Sequence, residues 1–308
     1  MITAARTSAR LLLIGGIAVS FASSAAAQTA STAAQSARYW KPVEDALGRK
    51  GTPNPGGVLK FSFPRSDLRV VLSGVILKPA LALGTWVAFK RIGDHVMVMG
   101  DLVLLDSEVA EVLGSLQQNG VEQTALHNHL VRESPHVMYM HIRAIGNAVR
   151  IAKAVRTALE FTQTPLAPAA TATAAPAALD LDTAGIAKVM GVRGKVNGGV
   201  YQLTFPRLEK IRQEKMDIPP AMGIATAINF QSTGAGKAAV TGDFVLLGRE
   251  VNPVIWALSE NGIEVTAIHS HMIGEEPRLF FMHFWANDDV GKLARGLRAA
   301  LERTRARR

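Results

Sequence analysis

The 308-residue sequence contains no cysteine. That excludes disulfide staples, thiolate metal ligands, cysteine nucleophiles and lipid attachment through a cysteine. The sequence also lacks a P-loop, a G-x-G-x-x-G fingerprint and a G-x-S-x-G nucleophile elbow, so it gives no sign of nucleotide binding or serine hydrolysis. Beyond the N-terminal region, no apolar run is long enough to cross a bilayer core of about 30 Å. The formal net charge is +9, yet no basic stripe is interleaved with aromatics, which make up only 6% of residues. This argues against nucleic acid as a partner. Arg303, Arg305, Arg307 and Arg308, set against Glu302, read as a solvated helix end.

What is present is a globular composition, 48% hydrophobic, with enough chain for two domains. The N-terminus has the layout of an export signal. Arg6 and Arg10 supply positive charge, Leu11 to Phe21 is a short apolar run, and Ala25 to Ala27 offers small residues for cleavage before Gln28. Residues 1–27 are therefore expected to be a signal peptide. The mature protein is expected in the periplasm or secreted, with no membrane span after cleavage.

A repeat organises the rest. At an offset of 142 residues, Gly100–His141 overlays Gly242–His283 with 20 of 42 positions identical and no gap. Upstream, "GGVLKFSFPR" (Gly56–Arg65) overlays "GGVYQLTFPR" (Gly198–Arg207). Downstream, "VRTALE", ending at Glu160, overlays "LRAALE", ending at Glu302. The organisation read from this is a first repeat domain at 40–161, an Ala/Pro/Thr linker at 162–178 and a second repeat domain at 179–304. Within a copy, "VLKFSF", "WVAFKRI" and "HVMVMGDLVLL" alternate as strands do. "SEVAEVLGSLQQNG" reads as a helix with Ser107 as its cap and Gly120 as its stop, and "IGNAVRIAKAVRTALEF" as a second, amphipathic helix. The fold class is α+β, two tandem homologous domains, each a mostly antiparallel sheet with flanking helices.

The repeat carries the same three histidines twice. His127 and His129 are two apart on a strand and point one way. A turn at "VRESPH" leads into "VMYMHI". A hairpin centred near residue 134 sets His127 opposite His141 and His129 opposite Tyr139. The second copy sets His269 opposite His283 and His271 opposite Phe281. Three imidazoles on one face suit a divalent transition metal, zinc first and copper second. His127, His129 and His141 would hold one ion and His269, His271 and His283 another. Glu133 and Glu275, each four residues after the second histidine, are candidates for a fourth ligand or a catalytic base acting on bound water. His136 and His95 are matched by Arg278 and Lys237 in the other copy, so both read as surface residues. Other shared polar positions have structural readings: Asp101/Asp243 at a turn or strand edge, Glu108/Glu250 in a first helical turn, and Asn119-Gly120/Asn261-Gly262 as helix ends. Glu122 and Thr124 have the opposite parity and should point away from the histidines.

These residues, "GDLVLL", "NGVEQTALHNH", the following glutamate and proline, "MH", and the preceding "GGV…FPR", resemble the LppY/LpqO family of bacterial exported domains of unknown function. The resemblance covers both copies and implies an exported domain without naming a reaction. Family members are often lipoproteins, and the missing cysteine departs from that anchoring. Three functional readings follow. They are a two-site metal-binding protein, a zinc-dependent hydrolase or lyase using a metal-bound water, and a non-metal module. In each, the partner is a small molecule or envelope component.

Overall fold

A computed structural model of the chain describes residues 35, 37–167 and 179–307. The expected signal peptide, and residues 168–178 of the expected linker, lie outside the described residues. The described residues fall into two units, those up to Pro42 and those from Val43 on. In the first, residues 37–42 are helical. The second holds both repeats.

The first repeat forms β1 (Thr52–Asn54), β2 (Val58–Pro64), β3 (Val71–Leu72), β4 (Val75–Ile76), β5 (Gly84–Ile92), β6 (His95–Leu105), β7 (Glu122–His127) and β8 (Val137–Gly146). The second forms β9 (Lys195–Asn197), β10 (Val200–Pro206), β11 (Ile211–Gln213), β12 (Met216–Ile218), β13 (Ala225–Gly234), β14 (Lys237–Leu246), β15 (Glu264–His269), β16 (Glu275–Glu276) and β17 (Phe280–Asp289). Two six-stranded antiparallel sheets result, ordered β1-β2-β5-β6-β8-β7 and β9-β10-β13-β14-β17-β15, with β12-β11-β16 and β3-β4 as small separate sheets. Helices Val109–Gln118 and Ala148–Leu159 belong to the first repeat, and Thr183–Met190, Gly248–Glu260 and Val290–Leu301 to the second. The α+β expectation holds: each repeat is an antiparallel sheet with flanking helices.

Alternation along the strands decides which face meets what. On β14, Val240, Phe244 and Leu246 pack with Leu258 and Leu297 of the flanking helices. The residues between them point the other way and meet the first repeat. One core joins Ala88, Met97 and Met99 to Val245, Leu247 and Phe281. Another joins Val103 and Tyr139 to Val200, Ala239 and Trp285. The inner faces of the two sheets therefore share their cores, and neither sheet buries its second face alone.

The β2–β5 and β10–β13 connections cross over to strengthen this. Gln231 of β13 binds the Ile76 carbonyl and the Lys78 amide, both at 2.8 Å. Gln202 and Asn229 donate to the Ala80 and Leu81 carbonyls at 2.9 and 3.0 Å. In return, Ile211, Ile218, Met222 and Ile224 pack on Val58 and Ala88.

The shared "FPR" has a structural job. Arg65 is fully buried and grips Glu108 through two hydrogen bonds of 2.7 and 3.0 Å, with Asp67 alongside. Arg207 repeats this with Glu250 at 2.7 and 3.0 Å and with Glu209. Each glutamate also accepts the amide three residues before it, Leu105 at 2.9 Å and Leu247 at 2.8 Å. Glu108 thus occupies the capping role expected of Ser107. The end of each copy ties back to the same glutamate, through the amides of Gln163 and Arg305. Thr162 and Thr164 are buried, so the first residues of the expected linker pack on the first repeat. The arginine-rich tail is no free helix end: the Arg307 amide donates to the Pro206 carbonyl at 2.6 Å.

Candidate metal centre

β7 pairs with β8 so that Ala125 faces His141 and His127 faces Tyr139. The expected register, His127 opposite His141, is two residues off. Further back along β7, a bulge between Ala125 and Gln123 shifts the register by one further residue. The second copy does the same, with Ala267 opposite His283, His269 opposite Phe281 and a bulge between Val265 and Ala267. A shift by two preserves side-chain parity, so all six histidines still reach the inner faces. His129 and His271 lie just past the strand ends. Their rings stack on Tyr139 and Phe281 at centroid distances of 3.4 and 3.5 Å.

The two triads are not separate. His127 stacks on His269 at 3.4 Å, His129 on His283 at 3.6 Å and His141 on His271 at 3.5 Å. Every closest histidine–histidine pairing crosses between repeats, because the faces that carry the triads are the faces the repeats share. The expectation of one site per repeat therefore gives way to a single six-histidine cluster. Two threonines clip it: Thr124 Oγ1 donates to the His271 carbonyl at 2.6 Å, and Thr266 Oγ1 to the His129 carbonyl at 2.5 Å. Thr124 was expected to point away. The bulge breaks the parity on which that expectation rests.

The aspartates of the two "GD" pairs belong to the cluster. Asp101 pairs across the sheet with His141, and Asp243 with His283. His283 Nδ1 lies 2.8 Å from Asp243 Oδ1, and His141 Nε2 lies 3.9 Å from Asp101 Oδ1. The turn or strand-edge reading of these aspartates is thus corrected to a place on a central strand. The preceding glycine allows it. A Cβ at Gly100 or Gly242 would lie 2.8 or 1.9 Å from the carbonyl oxygen of Trp86 or Ala227. The parity shared by Asp101, Met99 and Val103 is the signal that could have assigned Asp101 to the inner face.

Glu133 and Glu275 lie in the segments between the two histidine-bearing strands of each repeat. Each is buried and accepts an amide of its own loop, Glu133 from Val137 at 3.3 Å and Glu275 from Leu279 at 2.9 Å. Glu133 Oε2 is buried without a hydrogen-bond partner among the described residues, and neither glutamate is in the ligand groups that the cluster offers. His136 is exposed and contacts Asp106 at 2.9 Å, and His95 is exposed.

Among the described residues, two groups bring ligand atoms within 4.8 Å of one another: His127, His129, His271 and His283, and Asp101, His129 and His141. The Nε2 atoms of all six histidines are buried and have no hydrogen-bond partner among the described residues. His127 Nδ1 meets the Asn128 carbonyl at 3.0 Å and His283 Nδ1 the Gly242 carbonyl at 3.1 Å. A carbonyl only accepts, so the proton sits on Nδ1 and the Nε2 lone pair faces the cluster.

Burial sets the charge state. It lowers His127 to about 4 and His269 to about 2, with neighbouring imidazoles adding to the effect. His129, His141 and His271 are pushed well below the ordinary value, by burial first and then by the other rings. Asp101 is raised well above the ordinary carboxylate value by burial and then by Asp243, with Lys60 opposing. Burial lowers Lys60 to about 8, against the pull of Asp101. At neutral pH these five histidines are neutral, which is the form that ligates metal.

A family described as Domain of Unknown Function (DUF1259) matches residues 41–161 and again 184–303. The chain belongs to this family. It contains two tandem copies of the DUF1259 domain, and the six histidines are three from each. No curated protein is detectably similar to the chain. Two solved structures align at low similarity. EtuB from Clostridium kluyveri is 10% identical over 82% of this chain and 90% of its own, with a TM-score of 0.23. The trimeric bacterial microcompartment shell protein PduB is 11% identical over 83% and 91%, also with a TM-score of 0.23. At that level the likeness bears on neither fold nor function.

Proposed function

We propose that this tandem DUF1259 protein binds a divalent transition metal at one composite centre built from both repeats. The observation that carries the reading is the set of six buried Nε2 atoms without hydrogen-bond partners. An unpaired buried polar atom costs about 1–3 kcal/mol. Six such atoms in one cluster, four of the histidines with ligand atoms within 4.8 Å of one another, are hard to retain unless something binds them. His127, His129, His271 and His283 would supply four nitrogens, which suits zinc or copper. Asp243 would hold His283 through its Nδ1, and Asp101 would offer a carboxylate oxygen beside His129 and His141. Bound there, a zinc ion would supply Lewis acidity.

A second reading, a metal-dependent hydrolase or lyase, is favoured by one feature: a cleft of about 620 Å³ reaches Asp101, Asp243 and His129. Location in the periplasm or outside the cell rests on the signal-like residues 1–27 and on the LppY/LpqO resemblance. No helix among the described residues is long and apolar enough to cross a membrane. Elemental analysis of protein purified without an affinity tag tests the metal reading. The expected result is bound zinc or copper and a melting temperature that rises when either is added to stripped protein. Absence of both effects would overturn it.

A further inference from the structure

The cleft lies between the two sheets, beside the histidine cluster. Its floor on the first repeat follows one row across the strands: Ser62 pairs with Trp86, Trp86 with Asp101, and Asp101 with His141. The opposite wall follows the equivalent row: Thr204, Ala227, Asp243 and His283. The rows match in position but not in chemistry. Trp86 stands where the second repeat has Ala227. Lys60, two residues before Ser62, stands where the second repeat has Gln202.

Gln202 is committed, donating to the Ala80 carbonyl. Lys60 is not. Its ammonium lies 3.8 Å over the Trp86 ring and has no hydrogen-bond acceptor among the described residues. An ammonium held against an aromatic face inside a cleft retains donors for a ligand. The small Ala227 leaves room across from the indole. Pro64, Pro79 and Leu81 add apolar wall, and Ser62, Thr204 and Thr241 add hydroxyls.

We propose that this cleft binds a small organic monocarboxylate, its carboxylate on Lys60 and its apolar part between Trp86 and the Ala227 wall. One ammonium balances one negative charge. A phosphate dianion would bring a second charge into a cleft that already holds Asp101 and Asp243. A volume of about 620 Å³ lies within the usual range for small-molecule sites. The broken symmetry fixes the orientation, with the far end of the ligand directed along the rows toward Asp101 and the histidines. The proposal extends the metal reading, since the cleft ends at the same cluster, but the lysine contact does not require a metal.

The test uses the full chain, metal-loaded and metal-stripped, and follows the melting temperature during titration with acetate, butyrate, hexanoate, benzoate and phenylacetate. Each acid is run beside its amide. The expected result is a rise with at least one carboxylate and none with its amide. Lys60→Gln installs the residue that the second repeat holds at the matching position. It should weaken the effective carboxylate at least about tenfold while leaving the melting temperature without ligand near that of the parent. If no carboxylate stabilises the protein, or Lys60→Gln binds it unchanged, the proposal is wrong. Metal content measured on the same samples separates the two readings. Metal without carboxylate binding defeats this inference alone, and carboxylate binding without metal defeats the metal reading alone.

Discussion

The imidazoles of His127 and His269 stack with their centroids 3.4 Å apart and their planes 27° apart. They are the same residue of the two repeats. The other close contacts exchange in pairs about them: His129 with His283 and His271 with His141, Thr124 on the His271 carbonyl and Thr266 on the His129 carbonyl. The duplicated domain thus meets itself about a local pseudo-two-fold axis through this pair. The histidine cluster belongs to the junction between the repeats.

If so, neither repeat is complete alone. Residues 43–167, expressed without the second repeat, would expose Met97, Met99, Val103 and Tyr139, which pack against Val245, Phe281, Ala239 and Trp285 in the intact chain. The expected outcome is a species that binds a hydrophobic dye, lacks near-ultraviolet dichroism and unfolds without a sharp transition. Cooperative unfolding of the isolated repeat would contradict the shared core.

The buried histidines also set a pH dependence. In the unfolded chain a histidine takes up its proton near pH 6.5. In the folded protein His127 resists protonation down to about 4. Between those values the unfolded state holds more protons, so stability falls as pH falls. Metal-stripped protein should lose stability steadily from about pH 6.5 to 4, with His127 contributing about 1–3 kcal/mol and His129, His141, His269 and His271 acting in the same direction. Urea denaturation at several pH values measures this, and His127→Gln should flatten the slope.

Arg65 and Glu108 are buried together, and removing one strands the other. Arg65→Met is expected to cost about 3–5 kcal/mol in chemical denaturation, and Arg207→Met a similar amount. A loss under about 1 kcal/mol would show that the pair is replaceable.

Asp101 and Glu133 should separate in their effects. Glu133 serves its loop at Val137, so Glu133→Gln should lower the melting temperature and leave metal affinity unchanged. Asp101 stands beside His141, so Asp101→Asn should weaken metal binding about 10–100-fold, the usual cost of losing a partner beside a ligand. Equal metal loss in both variants would return a ligand role to Glu133.

Much of this was legible in the residues, and the failures have definite causes. Strand alternation located β2, β5, β6 and β8, and the Asn-Gly pairs marked helix ends: Asn119 Nδ2 bonds the Ser115 carbonyl, and Gly120 takes a φ of 71°. The three histidines of each copy were read together because parity survives a register shift of two. The bulge at Thr124 could not be seen, since a bulge leaves no compositional mark there, and it hid the clip on His271. Asp101 was misplaced because an aspartate on a central strand is rare without a partner, and its partner comes from pairing forty residues away. The union of the triads was out of reach for a different reason. Alternation shows that a strand has a second face, and "VMVMGDLVLL" is apolar on both, but it does not say what covers that face. Taking the repeats as independent domains assigned each its own site.

Metal stoichiometry tests the composite centre most directly. Untagged protein, His129→Ala and His271→Ala would each be loaded with zinc, dialysed and measured for metal per chain. Because both histidines belong to one ligand group, either substitution alone should remove most of the bound metal. Retention of half the parent's metal in each single variant, with complete loss only in the double variant, would show two independent sites and contradict the account.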